Sequence, residues 1–191
     1  MANKNNAFGI RAIGKVGQNR DNQGLSEYSI AASSSAIYFQ DPVKASSNGV
    51  IVVAAAGETL LGGLNGIFYT DANTSKPTWA NHLAAANTAT DIVGFVSDDP
   101  YERFEIQSDN TSASAQTDVF MNADMLAYAA GDSANFVSAV QLDDSTVSTT
   151  SGQFKIMGLS TDIDNNEIGS ANVNWVVQIN EHQYKAAVAG I

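Results

Sequence analysis

No cysteine occurs anywhere in the chain. A disulfide framework and a thiolate metal site are therefore both excluded. Histidine is almost as scarce: His82 and His182 are the only two, and neither has a second His at metal-ligand spacing, so no metal or other cofactor is expected. Cations are few as well, with nine Lys and Arg against twenty Asp and Glu and a formal net charge of -11. Affinity for nucleic acid rests on cationic neutralisation of phosphates, so this balance argues against DNA or RNA as a partner. The surplus of carboxylates reads as a solvated surface that keeps copies apart.

Long apolar runs are also missing. No stretch approaches the roughly 20 residues that cross a bilayer as a helix, so no membrane partner is expected. Met1 to Asn6 lacks the apolar centre of a signal peptide, which makes cytoplasmic synthesis the expectation. With 44% hydrophobic residues, the composition is not that of a disordered chain. A length of 191 residues supports one well-filled core, hiding about 70% of the surface that the unfolded chain exposes.

What the sequence does contain is short strands separated by turn chemistry. Tyr28 and Ile30 alternate with Glu27 and Ser29, Ala36 to Phe39 forms a second run, and Asp41-Pro42 ends it because proline cannot donate to a ladder. Val50 to Val53 is apolar on both faces and predicts a strand buried in a sheet. From Asp91 to Gln107 an apolar run, an Asp98-Asp99-Pro100 turn and an alternating run predict a hairpin with one apolar and one wet face. Phe136 to Leu142 and Gln153 to Leu159 read as further strands. Asn172 to Asn180 alternates most cleanly, with Val173, Trp175, Val177 and Ile179 on the core side. Glycines interrupt apolar strands at Gly62-Gly63, Gly94 and Gly158, the mark of a bulge or a close backbone approach.

Other stretches are less regular. Thr70 to Thr90 predicts a surface excursion with room for one helical turn at His82 to Ala86 and with Trp79 either pinned to the body of the domain, the favoured placement, or offered to a neighbour. Ala115 to Tyr128 is the one segment with helical character, and a short helix or two irregular strands both fit it. The first 24 residues carry isolated apolar positions, Phe8, Ile10 and Ile13, between glycines that suit neither a helix nor a long strand; they read as an extended arm or a disordered terminus, and the apolar positions favour the arm. These readings together predict an all-β fold, an antiparallel β-sandwich or barrel-like domain over residues 25–191 with at most one short helix, preceded by an extended N-terminal arm over residues 1–24.

Catalytic patterns do not emerge. There is no Gly-x-Ser-x-Gly elbow, and Gly62-Gly63-Leu64-Asn65-Gly66 lacks the Lys and Ser/Thr of a phosphate loop. Asp162 to Asn166 begins like an oxygen-ligand calcium loop, but Glu167 occupies the place of the sharp-turn glycine and Val173 that of the distal carboxylate, so an Asx-rich turn is expected. Asp98 and Asp99 are adjacent on a tight turn, where side chains diverge, and predict a structural role rather than a glycosidase pair. An enzyme is not expected.

Several stretches in sequence order resemble the head decoration, or cement, proteins of tailed bacteriophages. They are Phe8-Gly9-Ile10-Arg11, Asp41-Pro42-Val43-Lys44, Ala55 to Gly62, Ser97-Asp98-Asp99-Pro100 with Phe104 to Gln107, Met121 to Asp124, Leu142 to Ser145, Lys155 to Leu159 and Ile179 to Gln183. None is a catalytic motif; together they span most of the chain. The resemblance implies a structural virion protein that binds the outer surface of the assembled capsid, bridges neighbouring major capsid protein subunits and clusters as a dimer or trimer. With the arm read above, Phe8, Ile10, Arg11 and Ile13 are the expected capsid-binding residues. The alternative is a receptor- or glycan-binding β-module, which would bind sugar through an exposed aromatic such as Trp79 or Tyr101.

Overall fold

Val173, Trp175, Val177 and Ile179 are each at most 1% exposed, on the face that their alternation predicts. The computed structural model describes residues 3–17, 24–109, 112–128, 131, 133–185, 188 and 190. Its strands are β1 (Arg11–Lys15), β2 (Ser26–Ser29), β3 (Pro42–Ala45), β4 (Ile51–Val53), β5 (Gly62–Thr70) and β6 (Pro77–Ala80). They continue with β7 (Val93–Ser97), β8 (Glu102–Gln107), β9 (Asn122–Ala123), β10 (Phe154–Leu159) and β11 (Asn174–Ile179). One sheet has the order β1-β8-β11-β10-β9, and the other runs β2-β7-β5-β3-β4 with β6 also paired to β5. Every ladder between these strands is antiparallel. The two sheets pack as a sandwich-like, nearly all-β domain.

Each sheet builds its own apolar cluster. Phe104, Ile106, Phe154, Ile156, Trp175 and Val177 fill the first, and Ile30, Val43, Leu61, Leu64, Ile67 and Val96 the second. Each such side chain contributes about 1.5–3 kcal/mol when fully buried. Ile10 belongs to the first cluster yet comes so close to Gly63 of β5 that a Cβ there would stand 3.0 Å from its Cγ1. Leu60 and the chain around His182 form a second tie, through Leu60 N–H to the Glu181 carbonyl (2.9 Å) and Gln183 N–H to the Leu60 carbonyl (2.8 Å). Register shifts fall beside Gly14, Gly66 and Gly158, where an added residue bends a strand.

Several local expectations are corrected. The stretch from Asp91 to Gln107 is not a hairpin. β7 pairs with β2 and β5, whereas β8 pairs with β1 and β11, so the Asp98-Asp99-Pro100 turn carries the chain from one sheet to the other. The turn is held by groups outside it: Ser26 Oγ and Tyr28 Oη donate to Asp98, and Lys15 Nζ lies 2.8 Å from Asp99. The supposedly wet face of β8 is also buried, with Glu105 4% and Gln107 1% exposed. Gln107 is covered by the N-terminal segment, since Asn6 N–H donates to its Oε1 and its Nε2 donates to the Lys4 carbonyl.

β4 ends its sheet instead of lying inside it, and Val52 and Val53 are only half-buried. Phe136 to Leu142 makes isolated bridges, not a strand. Phe136 is in the left-handed region at φ 58, and Asn135 and Ser138 accept from Val137 and Val140 N–H; local side-chain bonds of this kind compete with a ladder. Ala115 to Tyr128 reduces to one turn of 3-10 helix at Gln116–Asp118 and the two residues of β9, with Phe120 at φ 75 between them. His82 to Ala86 forms no helical turn, because Leu83 bridges to Ile37 and Ala86 adopts φ 58.

Candidate functional site

Of the four residues nominated for binding, Ile13 alone offers a large apolar surface, at 44% exposed. Ile10 is 1% exposed in the core. Phe8 is half-buried beneath the Arg11 guanidinium, whose carbon lies 4.9 Å from the ring centroid. Arg11 donates from Nε to Glu105 Oε2 at 3.1 Å, and from Nη2 to the same oxygen. The segment before β1 is laid along its own domain. Asn3 Nδ2 donates to the carbonyls of Glu167 and Ala171, Lys4 Nζ pairs with Asp164 at 2.7 Å, and Asn165 Nδ2 donates to the Lys4 carbonyl. Residues 18–23 of the expected arm, with Met1 and Ala2, lie outside the described residues.

β1 stands at the end of its sheet with β8 as its ladder partner among the described residues. Arg11, Ala12 and Ile13 are exposed along it, and Val16 and Gly17 are exposed just past its end. An edge strand presents backbone donors and acceptors ready to pair with another chain. Beside it opens a cleft of about 690 Å³ lined by Ile10, Ile13, Leu25, Gln40, Asn65 and Glu102 among others. The titratable groups among its described lining residues are Arg11 and Glu102. Burial raises the Glu102 carboxyl above its ordinary value, while the Gly14 N–H that donates to it at 3.1 Å pulls the other way.

The cleft shares Leu25 and Asn65 with a second hollow of about 420 Å³, which Trp79, Phe95, Gly66 and Asn81 also line. Trp79 rests on the body of the domain through two rings yet stays 69% exposed, so it combines the two expected placements. Strand pairing sets Phe68 opposite Trp79 and Phe95 opposite Gly66. The Trp79 ring lies 4.8 Å from Phe68, tilted by 51°, and 5.2 Å from Phe95, nearly stacked at 25°. Sequence reading missed Phe68 and Phe95 as partners of Trp79. Their sole signal is that each lies in a strand two residues from a glycine, Gly66 for Phe68, or one residue from it, Gly94 for Phe95.

The remaining candidates for chemistry are used structurally. The His82 ring stacks on Phe136 at 3.7 Å and 1°, and burial lowers its basicity. His182 is fully buried, and desolvation pushes it down to about 4. Asp162 accepts from Asp164 N–H at 3.1 Å, the bonding of an Asx turn, and also from Asn174 Nδ2 at 3.2 Å. Among the described residues no group of three or more His, Cys, Asp or Glu is placed to hold a metal. One unforeseen group is Asp144, 6% exposed beside Ser114 and Asp109, which burial pushes up to about 7. Nothing in Asp143-Asp144-Ser145 distinguishes it from an ordinary turn.

No protein-family model, no curated protein and no solved structure matches the chain.

Proposed function

We propose that the chain is a structural virion protein that binds the outer surface of an assembled phage capsid and bridges neighbouring major capsid protein subunits, with copies clustering as a dimer or trimer. The resemblance to cement proteins supplies the partner. The observation that carries the reading is the exposed edge of β1, a strand at the end of its sheet, where Ile13 is 44% exposed and Val16, just past the strand's end, is 36% exposed. A capsid segment adding to that edge would gain main-chain hydrogen bonds and two apolar contacts. Many equivalent copies then stabilise a shell by linkage, because each binds the assembled state and not free subunits. Clustering adds effective concentration without new contacts.

This reading places the contact on Ile13 and the edge, while Phe8, Ile10 and Arg11 hold the edge in position from behind. Point substitutions are the suitable test, since residues 3–10 are packed into the domain and deleting them would disturb the fold. Co-sedimentation with empty capsid shells is expected to weaken in Ile13→Asp and Val16→Asp, with melting temperature unchanged. Undiminished binding by both variants would overturn the proposal.

A further inference from the structure

We propose that the hollow around Trp79 is a binding site for a neutral saccharide, an activity separate from capsid binding. Its walls combine two kinds of group. The aromatic part is Trp79, held by Phe68 and Phe95 at the distances given above and still 69% exposed. The polar part is Asn65 and Asn81, both exposed at the rim. A pyranose with equatorial hydroxyls has the matching chemistry. Its axial C–H groups form an apolar face with slightly positive hydrogens, which suits the negative face of an indole ring. Its hydroxyls donate and accept around the edge, as does a primary amide. The Asn81 Oδ1 lies 2.9 Å from His82 Nδ1, which fixes that amide and leaves its NH2 to donate.

Charge narrows the class of ligand. None of the eight residues that line the hollow is charged, on a chain of net charge -11. Phosphorylated sugars, uronates and sialates would be repelled without a cation to receive them. Neutral glucose- or N-acetylglucosamine-type rings meet no such barrier. Volume agrees: about 420 Å³ falls at the lower end of the range of about 300–1,000 Å³ typical of ligand sites. Gly66 provides the room. A Cβ built there would meet only the Ala80 carbonyl, at 3.5 Å, and Phe95 is its partner across the ladder.

The chain has two tryptophans, and Trp175 is fully buried, so acrylamide quenching of fluorescence reports on Trp79. Cellotetraose and chitotetraose at up to millimolar concentration are the probes. At least one is expected to protect Trp79 saturably. Calorimetry should show binding weakened about tenfold or more in Trp79→Ala, in Gly66→Leu, which fills the hollow, and in the Asn65→Ala/Asn81→Ala double variant, with unchanged melting temperature. Absence of protection by both sugars would overturn the proposal, as would protection that survives Gly66→Leu. Protection that rises with protein concentration alone would assign the hollow to a second copy, and protection by empty shells alone would assign it to the capsid; either replaces the saccharide. Shell co-sedimentation by the Ile13 and Val16 variants is independent of all these outcomes.

Discussion

Arg11 on the edge strand β1 and Glu105 on the neighbouring strand β8 are directly paired in the ladder and also joined through their side chains. Glu105 is almost fully buried, and its other oxygen accepts from Ser160 Oγ, whereas half of the Arg11 side chain faces solvent. Removing one partner of a buried ion pair costs more than removing the charge itself, because an uncompensated charge is left behind. Arg11→Ala is therefore expected to lose about 1–3 kcal/mol, discounted from the fully buried case because solvent screens the exposed half of the pair. Glu105→Gln should lose less, since it removes the buried charge and retains an oxygen for Ser160. Urea denaturation of the two variants checks the order, and native-state hydrogen exchange should show β1 amides loosening in Arg11→Ala.

Trp175 gives a second comparison. It is fully buried opposite Ile106 of β8 and Leu159 of β10, so Trp175→Ala is expected to cost about 3–5 kcal/mol. Its indole N–H is buried with no hydrogen-bond partner among the described residues, and an orphaned buried donor costs about 1–3 kcal/mol. Trp175→Phe removes that donor along with part of the ring. Its loss should be about half that of Ala or smaller. A thermal or urea melt that shows Trp175→Phe as damaging as Trp175→Ala would contradict this.

Phase within a strand was legible in the sequence, but the partner of a strand was not. Alternation is local, so the buried faces of β10 and β11 and the position of Trp175 could be read directly. Asp98-Asp99-Pro100 looks the same whether it closes a hairpin or carries the chain between sheets, because the difference lies in Ser26, Tyr28 and Lys15 far away in sequence. The burial of Gln107 depends on Lys4 and Asn6, about a hundred positions away, and no local pattern encodes it. The same limit applied to the candidate site. Ile13 could be nominated because an apolar residue among glycines and polar groups stands out. The Trp79 platform could not, because Phe68, Trp79 and Phe95 come from three strands that meet only after pairing.

Stability is expected to fall as pH rises through the neutral range. Burial raises Asp41 to about 6, outweighing its bonds from Ser138, Tyr38 N–H and Tyr128, and raises Asp144 to about 7. An unfolded aspartate titrates near about 3.9. Between the two values the native state holds protons that the unfolded state has lost, so the stabilisation present below about pH 4 is lost as pH rises. His182 has the opposite sign. Depressed to about 4 from an unfolded value of about 6.5, it adds stability as pH rises across that window and then contributes no further change. From about pH 6.5 upward Asp144 acts alone among these three. A melting temperature that declines from pH 6.5 to 8, and a flat profile with higher stability at pH 8 in Asp144→Asn, are the expected results. A flat wild-type profile would contradict them.

The glycines that interrupt apolar strands separate into three kinds, and substitution should tell them apart. At Gly62 a Cβ would stand 2.0 Å from the Ser97 carbonyl oxygen. That oxygen is main chain on β7, so the contact cannot be relieved by a rotamer change, and the neighbouring strands must shift. At Gly94 the nearest atoms are the methyl ends of Ile51, Ile30 and Leu64, at 2.9, 3.0 and 3.3 Å, which can swing aside at the cost of overpacking. At Gly158 nothing lies within 4 Å, although the register of β10 against β11 shifts there. Gly62→Ala is therefore expected to be the most damaging, at about 3 kcal/mol or more, and Gly94→Ala intermediate at about 1–3 kcal/mol. Gly158→Ala should fall within about 0.5 kcal/mol of wild type. Chemical denaturation of the three variants gives the order directly, and a costly Gly158→Ala would mean that its bulge requires glycine for its backbone and not for space.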